Sequence, residues 1–420
     1  MYTWKNSTAD LLIIGSGAAG MMAAVYAAEN GIHPLLIEKN EKAGKKIYIT
    51  GKGRCNLTNA CGLNEFLANV PVNPRFLYSA LHLLSPDDMM AWMERWGCPV
   101  KVERGRRVFP VSDKASDVTK TLQSALNYYG VPTLLHHTAD KLGMENGKIT
   151  EVVMTDGTVL SAKAVLIATG GISYPATGST GDGYRLAAQA GHTVIPPQPA
   201  LVPLETKETW CAGLMGLSLE NVRLSAVCKG KKIYDELGEM LFTHFGISGP
   251  LVLELSCHLR GVKLSDLQVF IDLKPGLSEK QTEDRLLREM TAGGAKQIKT
   301  ILETMLPRRL AEIFPSLCGV PAEKTASQIS SEERKRITDH LKGLPLTILR
   351  TRSAEEAIIT SGGVDVRQVN PSTMASRLVP NLFFAGEVLD VNAHTGGYNL
   401  QIAFSTGALA GLSAAQLILS

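Results

Sequence analysis

The chain has 420 residues, 45% of them hydrophobic and 20% charged, with 43 Lys and Arg against 40 Asp and Glu and a formal charge of +3. That length exceeds one ordinary hydrophobic core, so two or three domains are expected of a globular composition. The near-balance of charge gives no reason to expect a nucleic-acid or membrane surface. The seven scattered cysteines, odd in number and without a C-x-x-C pair, point to free thiols in a reducing cytoplasm and away from a metal site.

The polar stretch Met1–Ala9 lacks a signal-peptide core. Leu11 to Ile14 then form a short continuous apolar run, as a strand buried on both faces does. Gly15, Gly17 and Gly20 follow with G-x-G-x-x-G spacing, and Ser16, Ala18 and Ala19 fill the turn between them. Ala18 to Glu29 reads as a helix and His33 to Ile37 as a second buried strand, closed by Glu38 and Lys39. This is the dinucleotide-binding βαβ pattern in context. Gly15 permits the sharp turn, Gly17 lets a diphosphate approach the backbone, and Gly20 lets the helix pack on the strands. The diphosphate would sit on the free N–H groups and positive end of the helix. An acid at Glu38 suits an adenosine ribose with free hydroxyls and repels a 2′-phosphate.

A loop rich in glycine and base follows: Lys45, Lys46, Thr50, Gly51, Gly53, Arg54, Cys55 and Asn56 lie in a segment able to wrap a dinucleotide. Ser85-Pro86-Asp87-Asp88 starts a helix that runs to about Trp96, and Ser112 to Tyr129 is another. Leu134 to His137 is a strand candidate. The turn pairs Asn146-Gly147 and Asp156-Gly157 flank Ile149 to Met154 and predict a β-meander. Ala164 to Ala168 returns as a buried strand ending in Thr169-Gly170-Gly171.

Pro196, Pro197, Pro199 and Pro203 suggest a linker. Short strands such as Leu224 to Cys228 and Val269 to Leu273 follow, then a charged helical stretch, Ser278 to His340. The expected division is a discontinuous Rossmann-like α/β domain over 1–193 and 345–420, a β-rich domain over 194–277 and 341–344, and a helical insert over 278–340. Near the C-terminus a buried strand ends in Gly386-Glu387. The sequence His394-Thr395-Gly396-Gly397-Tyr398-Asn399-Leu400-Gln401 opens a final apolar helix, whose polar interruptions favour a buried helix over a membrane span. Backbone N–H groups at that start are placed to stabilise negative charge on a bound ring.

Thr50 to Asn59, Ile172 to Tyr184, Thr360 to Val364 and Gly386 to Asp390 together resemble the signatures of a bacterial NAD(P)/FAD-dependent oxidoreductase family. Its members include a 3-dehydro-bile acid reductase and an aminoketone oxidase. The resemblance spans nearly the whole chain. It implies an FAD-binding Rossmann-like domain with a β-rich second domain and a small helical insert. It also implies that Ala139 meets the adenine, that Arg54 and Asn56 lie near the isoalloxazine or the phosphates, that Glu387 meets the ribityl chain, and that Asn399 to Gln401 cover the pyrimidine edge. Thr169 and Gly170 resemble the element that lies near FAD. No second G-x-G-x-x-G stands between a strand and a helix, so NAD(P)H would dock transiently as reductant. The expected activity is reduction of a C=C bond conjugated to a ketone in a steroid-like or 3-oxo bile acid small molecule. An amine or aminoketone oxidase releasing peroxide is the alternative, and a flavin-holding sensor a distant third. The pattern assigns neither a catalytic acid nor an oligomeric state.

Overall fold

A computed structural model describes residues 8–420. They form two compact units: one runs to Ala200 and resumes over Ser353–Ser420, and the other is Leu201–Arg352.

The first unit is built on β1 (Thr8–Ile14), α1 (Ala18–Glu29) and β2 (Pro34–Ile37). β1 pairs in parallel with β2 on one side and with the strand Val159–Ile167 on the other. Leu11, Leu12 and Ile13 are completely buried, which is why the run carries no polar alternation. The sheet continues outward through Lys148–Met154 and Ala139–Glu145, the expected antiparallel meander. Leu382–Phe384 joins the same sheet in parallel beside Val165 to Ile167. Register aligns Ile14 with Ile37 and Ile167, and Phe384 with Ile167. Gly15, Glu38, Ala168 and Ala385 therefore leave the sheet in one row, at the carboxyl ends of its parallel strands, where ligands of such sheets bind.

α1 lies against the terminal helix, Tyr398–Leu419, at backbone contact. A Cβ placed on Gly407 would sit 2.3 Å from the Ala19 carbonyl oxygen, and one on Gly411 2.1 Å from that of Ala23. The terminal helix is long and apolar enough to cross a membrane, but 67% of its most apolar window is buried inside the structure.

The second unit is a seven-stranded antiparallel sheet in the order Leu344–Leu346, Leu267–Asp272, Ser218–Cys228, Lys231–Thr243, Gly246–Ser248, Leu204–Thr206, Ile348–Thr351. The helices Glu279–Ala292, Ile298–Leu302, Arg308–Leu317 and Ser331–Lys342 share one apolar core with it, through Leu286, Ile301, Phe314 and Ile337. The helical stretch is thus part of the β-rich unit's core.

The structure moves three expected boundaries. The proline-rich stretch is a strand, Val194–Ala200, paired with Ile359–Val364 in the first unit. Its register shifts between Ile195 and Gln198, so Pro196 and Pro197 occupy an irregularity where a missing N–H costs no ladder bond. The unit boundary falls after Ala200 instead of at 193. At the other end Leu344–Leu346 and Ile348–Thr351 pair within the second sheet, so the first unit resumes at Ser353. The strand expected at Leu134 to His137 ends at Leu134, because His136 turns to φ 61°.

Replacing Gly411 with Val drives a side chain into the α1 backbone. We expect a loss of about 2–3 kcal/mol in urea unfolding, the cost of overpacking a close contact. Gly276→Ala, where a Cβ meets nothing within 4 Å, is expected to leave the midpoint unmoved.

Candidate functional site

Gly15 takes φ +101°, and its N–H donates to the Ile37 carbonyl at 2.9 Å, which bends the chain off β1 toward β2. A Cβ on Gly20 would lie 1.9 Å from the Gly15 carbonyl oxygen, so only glycine fits under the turn. At Gly17 a Cβ would meet nothing within 4 Å. That open space lies over the first turn of α1, which no side chain caps. Its N–H groups face outward with the helix's positive end, the arrangement that receives a phosphate.

Glu38 is buried at the end of β2. Its Oε2 accepts from Ser16 N–H and Oγ at 3.1 and 2.9 Å, and its Oε1 from the Asn40 N–H and Nδ2 at 2.9 and 2.7 Å. Four donors fill the usual capacity of a carboxylate, so a further donor could bond Glu38 only by displacing one of them. Lys39 is spent on Asp182, at 2.7 Å, and on Thr180, and Lys45 on the exposed Glu41 at 3.2 Å.

Glu387 stands at the end of Leu382–Phe384 and ties three segments together. Lys46 Nζ lies 2.7 Å from its Oε2, while Ser173 Oγ and the Thr360 N–H donate to Oε1 at 3.0 and 2.7 Å. Lys46 also donates to Ser173 at 2.5 Å. Gly170 (φ +75°) passes close by, a Cβ on it being 4.0 Å from Glu387 Oε2. Tyr184 lies buried nearby with its hydroxyl unpartnered; burial above all, then Glu387 and Asp390, holds it protonated far above the ordinary phenol range. Ser173, Thr360 and Asn40 are missing from the sequence-predicted set. Ser173 and Thr360 lie inside signature segments, whereas nothing local marks Asn40.

The start of the terminal helix forms the third part. Gly397, at φ 100°, is its N-cap, and no side chain caps it. Asn56 bridges to it: the amide oxygen accepts from the Gly397 N–H at 3.0 Å, and the nitrogen donates to the Thr58 and Val108 carbonyls. Asn59 Nδ2 donates to both the Gly105 and Gly396 carbonyls, at 3.1 and 3.0 Å. Asn59 Oδ1 and Thr58 Oγ1 beside it are buried without partners, and such orphaned groups mark a place where a ligand can bond. Gly51, Lys52 and Gly53 run consecutively through positive φ, 56°, 59° and 83°. Thr50 closes that turn by donating to the Ile47 carbonyl at 2.7 Å.

Six sequence-predicted residues spend a side chain or carbonyl elsewhere. Arg54 is held by Glu103 and by Asp113 at 2.5 Å, with its guanidinium 4.1 Å from the Phe109 ring centre; it is spent on acids instead of facing a phosphate. Gln401 is fully buried, donating to Leu84 and Ser405, and its N–H is used by Gly397 within the helix. The Ala139 carbonyl accepts from Arg185 at 3.2 Å. Asn399 spends its side chain on the Ala393 and His394 backbone, which leaves only its N–H, with that of Leu400, facing the helix start. Tyr398 is buried edge-on against Phe66, at 5.1 Å. Thr169 Oγ1 lies 2.1 Å from where a Gly183 Cβ would be, so it packs against the following helix. Among the described residues no group of acids, histidines or cysteines is arranged to hold a metal.

The HI0933-like protein Rossmann domain matches residues 9–413. The chain belongs to this family, one of FAD-dependent flavoprotein oxidoreductases. It is 33% identical to a ribosomal RNA dihydrouridine synthase of Haemophilus influenzae over 96% of this chain and 97% of that protein. It is 31% identical to a 3-dehydro-bile acid delta(4,6)-reductase of Clostridium scindens, over 96% and 98%. Among solved structures, 3-ketosteroid-delta4-(5alpha)-dehydrogenase from Rhodococcus jostii RHA1 shares the fold with a TM-score of 0.55 at 15% identity, over 99% of this chain and 98% of that one. The open cradle over Gly17, the two uncapped helix starts and the orphaned oxygens of Thr58 and Asn59 fit a flavin dinucleotide.

The seven cysteines are all free thiols. Burial pushes the Cys55 thiol up to about 12, Cys318 to about 12 and Cys211 to about 11. The folded protein keeps these thiols neutral while unfolded ones ionise near pH 8.5. Their contribution is therefore complete below that pH and is lost as pH rises through about 11–12. The urea midpoint is expected to fall steadily above about pH 8.5, and iodoacetamide to label Cys55 only after unfolding; early labelling of Cys55 overturns its burial.

Proposed function

We propose that this protein uses FAD to reduce a carbon–carbon double bond conjugated to a carbonyl, drawing electrons from NAD(P)H, and that its substrate is a uracil ring in ribosomal RNA. The two named relatives meet in one reaction class. Making dihydrouridine saturates a C5–C6 bond conjugated to the C4 carbonyl, and a delta(4,6)-reductase of a 3-oxo compound saturates the same kind of system. The Gly15–Gly20 turn and the α1 start would hold the diphosphate, Glu38 the adenosine ribose, the Lys46–Glu387–Ser173 group the ribityl chain, and the N–H groups of Asn399 and Leu400 the pyrimidine edge. Bound there, the isoalloxazine supplies hydride chemistry that side chains lack.

One observation carries the RNA reading: basic residues collect beside the terminal helix start. Arg104, Arg106 and Arg107 are exposed on a turn whose Gly105 carbonyl shares Asn59 with Gly396. Phe109 links this turn to the exposed Lys52 segment, since Arg54 and Arg107 both lie over its ring and a Cβ on Gly51 would be 3.3 Å from it. Among the described residues Lys52, Arg104 and Arg107 enter no ion pair. The whole-chain balance of +3 averages this strip away. Unpaired bases of this kind attract a phosphate backbone. A steroid-like enone is the second reading, supported by the bile acid reductase relative.

Glu38→Ala is expected to lose FAD on gel filtration; a variant that stays yellow contradicts the ribose assignment. Anaerobic stopped-flow reduction by NADH or NADPH, followed by uridine-containing ribosomal RNA fragments or a 3-oxo-4,6-diene, separates the two substrate readings by which one reoxidises the flavin. Peroxide release with an aminoketone and no response to either acceptor indicates the oxidase instead. Under the RNA reading, Arg104→Ala with Arg107→Ala weakens RNA turnover and flattens its salt dependence by about one unit of slope per base removed.

A further inference from the structure

A second pocket lies at the far end of α1, about 18 Å along the helix from the dinucleotide turn. It holds about 250 Å3 and is lined by Val25 and Glu29, by Trp92, Arg95 and Trp96, and by Tyr128 and Tyr129. These residues come from the last turns of three helices, α1, Pro86–Arg95 and Ala115–Tyr128, whose C-caps are Asn30, Trp96 and Tyr129. Three carboxyl-terminal helix ends therefore meet around one cavity, each carrying roughly half a negative charge. Glu29 adds a full one.

The walls are largely aromatic. Trp96 stands 5.8 Å from Trp92, 5.5 Å from Tyr128 and 6.2 Å from Tyr129, centre to centre, and the two tyrosines meet edge-on at 5.0 Å. Trp92 is buried as the floor, while Tyr128 is 75% exposed at the rim. Burial first, then the charge of Glu29 and a hydrogen bond to it, raises the Tyr129 phenol, and Arg95 acts in the opposite direction. Arg95 is exposed at the edge and makes no ion pair among the described residues.

We propose that this pocket binds an organic cation, an alkylammonium or guanidinium head. Aromatic faces attract such cations, and the helix ends and Glu29 add to the attraction. The same charges repel a phosphate, so the site is distinct in chemistry from the basic strip beside the terminal helix start. Its volume suits one head group. Arg95 is the competing cation, held at the edge by its own chain.

The test uses FAD-loaded protein labelled with 15N-tryptophan, read at the indole N–H signals. Tetramethylammonium and N-acetylarginine amide are expected to shift Trp92 and Trp96 saturably and leave Trp210 unmoved; tert-butanol, neutral and of similar shape, is expected to shift none. Trp96→Ala is expected to weaken binding by about tenfold and Glu29→Gln by about threefold, whereas Arg95→Gln strengthens it. The two charge variants sit on the surface and keep the test open if Trp96→Ala fails to fold. A peptide carrying one arginine, compared with its citrulline twin, identifies the source. Tighter binding than the free amide points to a side chain of a partner protein, and equal binding to a free cation. Shifts that do not saturate, equal binding of tert-butanol or the citrulline peptide, or indifference to Glu29→Gln overturns the proposal.

Discussion

Parallel strands that end level with one another govern the first unit. Because Ile14, Ile37, Ile167 and Phe384 share one register, four chain segments far apart in sequence leave the sheet at one edge. Gly15, Glu38, Ala168 and Ala385 form one row for that reason. A slip of one residue on β1 would carry its side chains into mismatched positions of a close-packed core and would separate the glycine turn from its acid. The completely buried Leu11, Leu12 and Ile13 make such a slip costly, so the hydrophobic effect that forms the sheet also fixes the geometry of the site.

Helix contact adds the second dimension. Gly407 and Gly411 let the terminal helix lie on the α1 backbone, and Gly386 approaches the Ala19 Cβ from the neighbouring strand end. The two helix starts are thus held on a common support, and each remains uncapped. Polar side chains then organise the floor between them. Glu387 gathers Lys46, Ser173 and the Thr360 backbone, so a charge supplied by the last strand orders loops that follow β2 and Val159–Ile167. Most of these bonds join residues more than a hundred positions apart.

That separation explains what was legible in the sequence. The βαβ unit, the meander and the helix of Pro86–Arg95 are written in local signals: continuous apolar runs, glycine spacing, Asn-Gly and Asp-Gly turns, and a Ser-Pro start. The proline strand was not legible, because Pro196 and Pro197 look the same in a linker and in a bulge; only the partner Ile359–Val364 distinguishes them. Leu344–Leu346 and Ile348–Thr351 likewise carry no mark of the sheet they join. Of the candidate site, the glycines and Glu38 were readable. Arg54 was misleading, since its acids lie 49 and 59 residues away and a basic loop looks alike whether its charges are spent or free. Gln401 misled in the opposite direction: a polar residue at a helix start suggests a ligand, whereas here it bonds the Leu84 carbonyl inside the core.

The same distinction between spent and free charge bears on electrostatics. A net charge of +3 describes the field at long range, yet beyond about 8–10 Å salt screens it at physiological strength. What a ligand meets is the local inventory: unpaired Lys52, Arg104 and Arg107 near the terminal helix start, and Glu29 with three helix ends at the finish of α1. α1 is itself a dipole with its positive end at the glycine turn, so one helix presents opposite potentials to two regions about 18 Å apart. An anion is favoured at its start and a cation at its end by the same row of peptide bonds. The side chains follow that polarity, with Gly17 leaving the start open and Glu29 standing at the finish, and this agreement between backbone and side chain gives the two ends different chemistries.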